Sequence, residues 1–213
     1  MGVLFGAIII ISIVFGIIAN IMNERDEKNY REYKETPDVQ KTPEQTLKVI
    51  TANGLLLKDV PDYLKTSELC MIAVKQNGKA LEYVPEEKRT PRLYKIAIES
   101  QSLIFKDVPE AKRTPELCLA AVKMNKYVFK DVPKSLLTEE ICLAAVKGGL
   151  ELYYIPEEMR TSKICMTAAV KSGSWFLEHV PEALKTEEIC LLAVKSKGYQ
   201  LTYVPESLKT QKI

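Results

Sequence analysis

The side chains best equipped for chemistry are five cysteines, Cys70, Cys118, Cys142, Cys165 and Cys190, and the single histidine, His179. Thiolates and imidazole ligate zinc, and a histidine beside a Ser or Cys makes a nucleophile. The pattern speaks against both uses. Each cysteine falls at the same position of a repeat, with the register of Cys165 open. Neighbouring packed helices lie about 8–10 Å apart, a disulfide needs Cα atoms within about 7 Å, and zinc ligands must be closer still. A small core residue is the reading that fits all five, and unpaired thiols suit a reducing compartment. No Ser or Cys motif accompanies His179. The enzyme reading would need His179 with Tyr203 or Glu178, a thin basis without a Gly-rich phosphate loop or a His/acid cluster. The expectation is therefore no catalytic residue, no cofactor and no metal.

A second set of residues suits recognition instead. His179 occupies a slot also filled by Asp59, Tyr83, Asp107, Asp131, Tyr154 and Tyr203. Near it the repeats vary further, at Tyr127, Trp175, Phe176 and Tyr199. Trp and Tyr are common binding anchors, so Tyr127, Trp175, Phe176, His179, Tyr199 and Tyr203 are the candidate partner-binding residues. The competing expectation is that these aromatics pack under neighbouring repeats. Lys75, Lys123, Lys147, Lys171 and Lys195 also recur, near the end of each first helix. There they complement the helix dipole or form a ladder for an acidic partner.

The elements that carry these residues come from a periodic chain. Thr42, Thr66, Thr90, Thr114, Thr138, Thr161, Thr186 and Thr210 are spaced 24, 24, 24, 24, 23, 25 and 24 apart. A Val-Pro or Ile-Pro step keeps the same time, from Pro61 to Pro205. Such a period means stacked repeats. Thr is a good N-cap, Pro43, Pro91 and Pro115 suit the first helical position, and Glu follows. Apolar residues three, four, seven and eight places after Thr, such as Leu117, Cys118, Ala121 and Val122, define one helical face. Gly54, Gly78, Gly173 and Gly198 read as helix ends. A shorter helical segment follows, the residue before Pro breaks it, and a last single turn, 3₁₀ in type, closes the unit. The fold class is thus all-α: a helical-repeat solenoid of about seven 24-residue units, over residues 42–213.

The units AVKQNGKALEYVPEE and AVKSKGYQLTYVPES resemble the repeat family called domain of unknown function 4116. The resemblance covers about residues 42–213. It implies an all-helical repeat fold and brings no activity, cofactor or catalytic residue with it.

Outside the array, Val3 to Met22 is a run of 20 residues without a charge, enough to cross a hydrocarbon core of about 30 Å. Residues 1–22 are expected to be a transmembrane anchor and 23–41 a charged stalk. Arg25, Lys28, Arg31, Lys34 and Lys41 follow the span and none precedes it, which places the array on the cytoplasmic side of a single-pass membrane protein. Gln45 and Thr46, in slots that are apolar elsewhere, read as a polar end cap. The sixth repeat is long by one residue. Ser162 as its cap, with Met166 in the cysteine slot, is preferred over a π-bulge.

Charge is nearly balanced, 30 Lys and Arg against 28 Asp and Glu, so no nucleic-acid footprint is expected. The function expected is a membrane-anchored, non-enzymatic scaffold that binds a protein partner. The alternative is a secreted or envelope structural repeat protein with a cleaved signal segment. A homodimer is a further expectation, through the C-terminal repeat, where Leu201 and Val204 lie, or through the anchor helix along Gly2, Gly6, Ser12, Gly16 and Asn20.

Overall fold

The computed structural model describes residues 22–171 and 176–209. Residues 1–21 of the expected anchor, with the Gly2–Asn20 face, and Gly173, Trp175 and Thr210 lie outside them. Among the described residues no strand occurs, and no helix is long and apolar enough to cross a membrane. The chain divides into two compact units, Met1–Ser100 and Gln101–Ile213.

The first unit contains α1 (22–35), α2 (Pro43–Ala52), α3 (Ser67–Gln76) and α4 (Pro91–Ser100). The second contains α5 (Pro115–Met124), α6 (Glu139–Lys147), α7 (Ser162–Lys171) and α8 (Glu187–Ser196). In the first unit α2 packs on α3 and α3 on α4; in the second, each helix from α5 to α8 packs on the next. A 3₁₀ segment follows every α-helix from α2 onward, and a three-residue 3₁₀ turn follows that. Each unit therefore has an α layer and a 3₁₀ layer. The shorter helix expected from the sequence is itself 3₁₀.

Local chemistry explains the repeat. In all seven helices from α2 to α8 the preceding Thr hydroxyl accepts from the N–H three residues on, at 3.2–3.4 Å. That satisfies one orphan donor of the first turn. The face three, four, seven and eight residues after Thr is buried, as Leu117, Cys118, Ala121 and Val122 show. All five cysteines sit there with no exposed surface. Helices α2, α3, α5 and α8 then end on an extended residue, not on glycine. Asn53, Asn77 and Asn125 have φ near −150°, and each Oδ1 accepts from the N–H two residues on. This local bond starts the 3₁₀ segment, and the Val or Ile before Pro stops it.

The glycines have another purpose. A Cβ at Gly54 would lie 2.3 Å from the Ala73 carbonyl oxygen of α3. Its N–H donates to Gln76 Oε1 at 2.7 Å, and Gln76 Nε2 returns a bond to Ala52 O. Gly78 donates likewise to Ser100 Oγ. In the second unit Gln200 Oε1 accepts from Leu177 N, and Lys126 Nζ donates to Gly149 O. These four clamps each join a turn to the repeat that follows it within the same unit. Among the described residues Gly149 is the one glycine with positive φ: at 85° it lets Leu150 N–H reach Ala145 O and its own N–H reach Val146 O. That Schellman closure shortens the fifth repeat by one residue.

Three expectations are corrected here. Thr46 is not a solvent-facing cap: it is fully buried, beneath Tyr33 of α1, which is 2% exposed. Thr46 Oγ1 donates its proton to Thr42 O, so the Tyr33 hydroxyl is the donor in their 3.1 Å bond. Tyr30 donates to Asp59 at 2.9 Å. Residues 22–35 thus act as a lid on the first repeat, whereas a stalk would stand free. Gln45 is exposed because its side chain turns back to the Thr42 N–H as a capping box. In the sixth repeat Thr161 remains the cap and Cys165 keeps its slot; no bulge occurs over Ser162–Lys171. Ala168 and Ala169 take the inner positions, and Val170 faces outward, 69% exposed. Ala169 thus takes the core position that Val holds in other repeats.

Candidate functional site

The 3₁₀ segments set which variable residues can meet a partner. Leu81, Phe105, Phe129, Leu152 and Leu177 point inward, and so do the residues just before most of them, Ala80, Ile104 and Val128. Phe176 belongs to that second inward slot and is 3% exposed, so it is a core residue and leaves the candidate set. Gln200 shares the slot, buried with its carbonyl on Leu177 N–H. The outward slots hold Tyr127, Tyr153, Tyr154 and Tyr199, all between 44% and 65% exposed. Leu103 occupies the same slot as Tyr127 and Tyr199 and is also exposed. His179 and Tyr203 are half-buried. Trp175 shares the Tyr127 slot by sequence and lies outside the described residues.

Within the second unit the Tyr153 and Tyr154 ring centroids are 3.9 Å apart, and the Tyr153 and His179 centroids 5.7 Å. The contact with Tyr154 pushes the Tyr153 phenol up to about 12. Desolvation and then the Glu178 carboxylate raise the Tyr203 phenol. The His179 ring thus meets Tyr153 at a tilt, and Glu178 acts on Tyr203. Tyr153, Tyr154 and His179 make one aromatic cluster, and Tyr153 was missed because its slot is Lys or Glu in most repeats.

The thiols are poor nucleophiles. Burial pushes Cys142 and Cys165 up to about 11 and raises Cys70, Cys118 and Cys190. Among the described residues no group of His, Cys, Asp or Glu is placed to hold a metal ion. The recurring lysines 75, 123, 147 and 195 are exposed, and Lys123 sits 3.5 Å from Glu140 of the next helix.

Sequence reading also missed a fastening under the aromatics. Arg113 Nε donates to Val108 O in its own repeat, and Nη1 donates to Asp131 O in the next. Arg160 does the same to Ile155 O and His179 O, both at 2.8 Å. Arg89 reaches Val84 O and Glu82 O. Five donors in a rigid fork suit Arg to this. The signal was the basic residue that precedes Thr in seven of eight cases.

At the boundary of the fourth and fifth repeats a cleft of about 270 Å³ opens between Tyr127 and Tyr154, with Val132 and Leu150 beneath and Lys134 and Leu137 on its wall. No curated protein matches this chain, and no solved structure does. One family model matches four stretches of it, residues 43–87, 114–160, 138–185 and 163–209, and the last three overlap across the second unit and enclose the aromatic cluster and the cleft. The chain belongs to the family described as domain of unknown function (DUF4116).

Proposed function

We propose that the protein is a membrane-anchored, non-enzymatic scaffold, and that outward 3₁₀ residues of its second unit bind a protein partner. The observation that carries this reading is the exposure of Tyr127, Tyr153, Tyr154 and Tyr199 on slots that repeat along the 3₁₀ layer. Grouped exposed aromatic surface marks contact sites. Tyr supplies contact area with little side-chain entropy to lose. Stacked repeats offer the same slot again and again, which suits recognition of an extended partner. The high pKa of the buried thiols fits a role without covalent catalysis. Membrane attachment is supported by the uncharged run from Val3 to Met22, and the basic residues after it favour a cytoplasmic array.

The test is quantitative affinity capture with the tagged chain. A Tyr127→Ser/Tyr154→Ser/Tyr199→Ser variant is compared with wild type and with a Lys123→Ser/Lys195→Ser control on the α layer. Each anchor lost is expected to cost about 2 kcal/mol, roughly 30-fold in affinity. The expected result is one set of proteins retained by wild type and control and lost by the tyrosine variant. Capture that ignores the tyrosines, or depends on the lysines instead, contradicts the reading.

A further inference from the structure

One repeat departs from the others at two charged positions together. The residue after the Pro is acidic at 38, 62, 86, 110, 157, 182 and 206, and the residue before Thr is basic at 41, 65, 89, 113, 160, 185 and 209. Where that base is Lys, it pairs with the acid three residues back: Lys41 with Asp38 at 2.6 Å, Lys65 with Asp62 at 2.9 Å, Lys209 with Glu206 at 2.6 Å, and Lys185 with Glu182. Where it is Arg, it holds backbone carbonyls instead. In the fourth repeat the acid becomes Lys134 and the base becomes Leu137. Both positions change together, and their summed charge goes from zero to positive.

The consequence is the cleft. The carbonyls that Arg113 and Arg160 bridge belong to the slots of Val132 and Tyr154 in the fourth and fifth repeats. Leu137 has no donor for that bridge, and Val132, Leu137 and Tyr154 line the opening in its place. At about 270 Å³ it is smaller than the roughly 300–1,000 Å³ of small-molecule sites, and suits one or two side chains. Its charged lining residues are Lys130 and Lys134. Neither has an ion-pair partner among the described residues.

We propose that this cleft takes a short acidic segment of a partner protein, with one apolar side chain seated over Leu137 between Tyr127 and Tyr154 and a carboxylate at Lys134. The inference rests on the partner-binding reading above and narrows it to a peptide class. Apolar burial against Leu137, Leu150 and the two tyrosines supplies the affinity. The lysines select sign, because exposed charges contribute little energy but discriminate strongly between partners. The segment's carboxylate stands where the other repeats carry their own.

The experiment is fluorescence anisotropy with the whole 213-residue chain and labelled octapeptides built on a Glu-Leu-x-Glu or Glu-Phe-x-Glu core. Counterparts carry Gln or Lys for Glu, and a uridine oligonucleotide serves as an anion without apolar anchors. The expected order is Glu above Gln above Lys, with no competition by the oligonucleotide. Leu137→Arg should restore the bridge to Val132 and Tyr154, keep or raise the melting temperature, and weaken the Glu peptide by roughly 30-fold or more, as loss of a central anchor does. Lys134→Glu should weaken it by about fivefold. Equal binding of all peptides, competition by the oligonucleotide, or a folded Leu137→Arg chain that binds as wild type overturns the proposal. If no peptide binds while capture of partners still depends on Tyr127, Tyr154 and Tyr199, the acidic-segment proposal falls and the scaffold reading stands.

Discussion

Gly54 and Gly198 occupy the same place in two repeats, each opening a six-residue 3₁₀ segment, yet the structure separates their fates sharply. At Gly54 an added Cβ would lie 2.3 Å from Ala73 O and 3.0 Å from Ala73 C. Those are backbone atoms in the middle of α3, between the fully buried Cys70 and Val74, so neither can step aside without moving the helix. Overpacking of that kind costs about 1–3 kcal/mol or more. Separating the turn from α3 also breaks the Gly54 N–H bond to Gln76, worth about 1 kcal/mol. Gly54→Ala should therefore destabilise by about 2–4 kcal/mol. At Gly198 no described atom lies within 4 Å of the new Cβ, and φ is not positive. Gly198→Ala should stabilise by about 0.4–1 kcal/mol, through the lower entropy of the unfolded chain. Repeat arrays open locally, so hydrogen exchange is the proper assay. Amides of α2 and α3 should lose protection in Gly54→Ala, and those of α8 should gain it in Gly198→Ala. A Gly54→Ala chain as protected as wild type would refute the account of close turn-to-helix packing.

Other outcomes follow from the same packing. Tyr33→Ala should cost about 3–5 kcal/mol, as for other buried aromatics, and expose α2 to exchange. Tyr33→Phe should cost only about 0.5–1.5 kcal/mol, because Thr46 keeps its bond to Thr42 O; similar losses in the two would show that the ring is not what covers the repeat. The thiols give a pH dependence of defined sign. Burial holds Cys142 and Cys165 protonated up to about 11, against an ordinary 9.0. The folded chain therefore binds more protons than the unfolded one between those values, and the stability this supplies is complete below about pH 9 and is lost as pH rises through about 11. Chemical denaturation across that range should show a steeper fall for wild type than for Cys142→Ala/Cys165→Ala; parallel curves would contradict it.

What the sequence made legible was what repeats and acts locally. The Thr cap, the inward face from Leu117 to Val122 and the Val-Pro break each depend on neighbours within a few residues. Burial of Thr46 by Tyr33 joins positions 13 apart, through a helix whose charges disguise one inward tyrosine. Gly54 looked like a helix stop because its real constraint, Ala73 O, comes from the next repeat. Phe176 looked like a binding residue by type, but its slot is the one that Val128 and Gln200 show to be inward. The outward slots of Tyr127 and Tyr199 were readable, whereas the Tyr153–Tyr154–His179 cluster needed the stacking distance between repeats. The exchange at Lys134 and Leu137 stood in the sequence throughout. Its meaning appeared only when the Arg113 and Arg160 bridges showed what normally fills that space.

The central claim is that the outward face of the 3₁₀ layer in the second unit, and not the α layer, meets the partner. Site-specific photo-crosslinking in the cells that make the protein tests it most directly. A benzoylphenylalanine is placed singly at Tyr127, Tyr154 or Tyr199, and at the exposed Lys123 or Lys195 of the α layer. The account predicts one adduct of common mass from the three tyrosine positions and none from the two lysines. Adducts confined to Lys123 and Lys195, or no adduct from any tyrosine position, would contradict it.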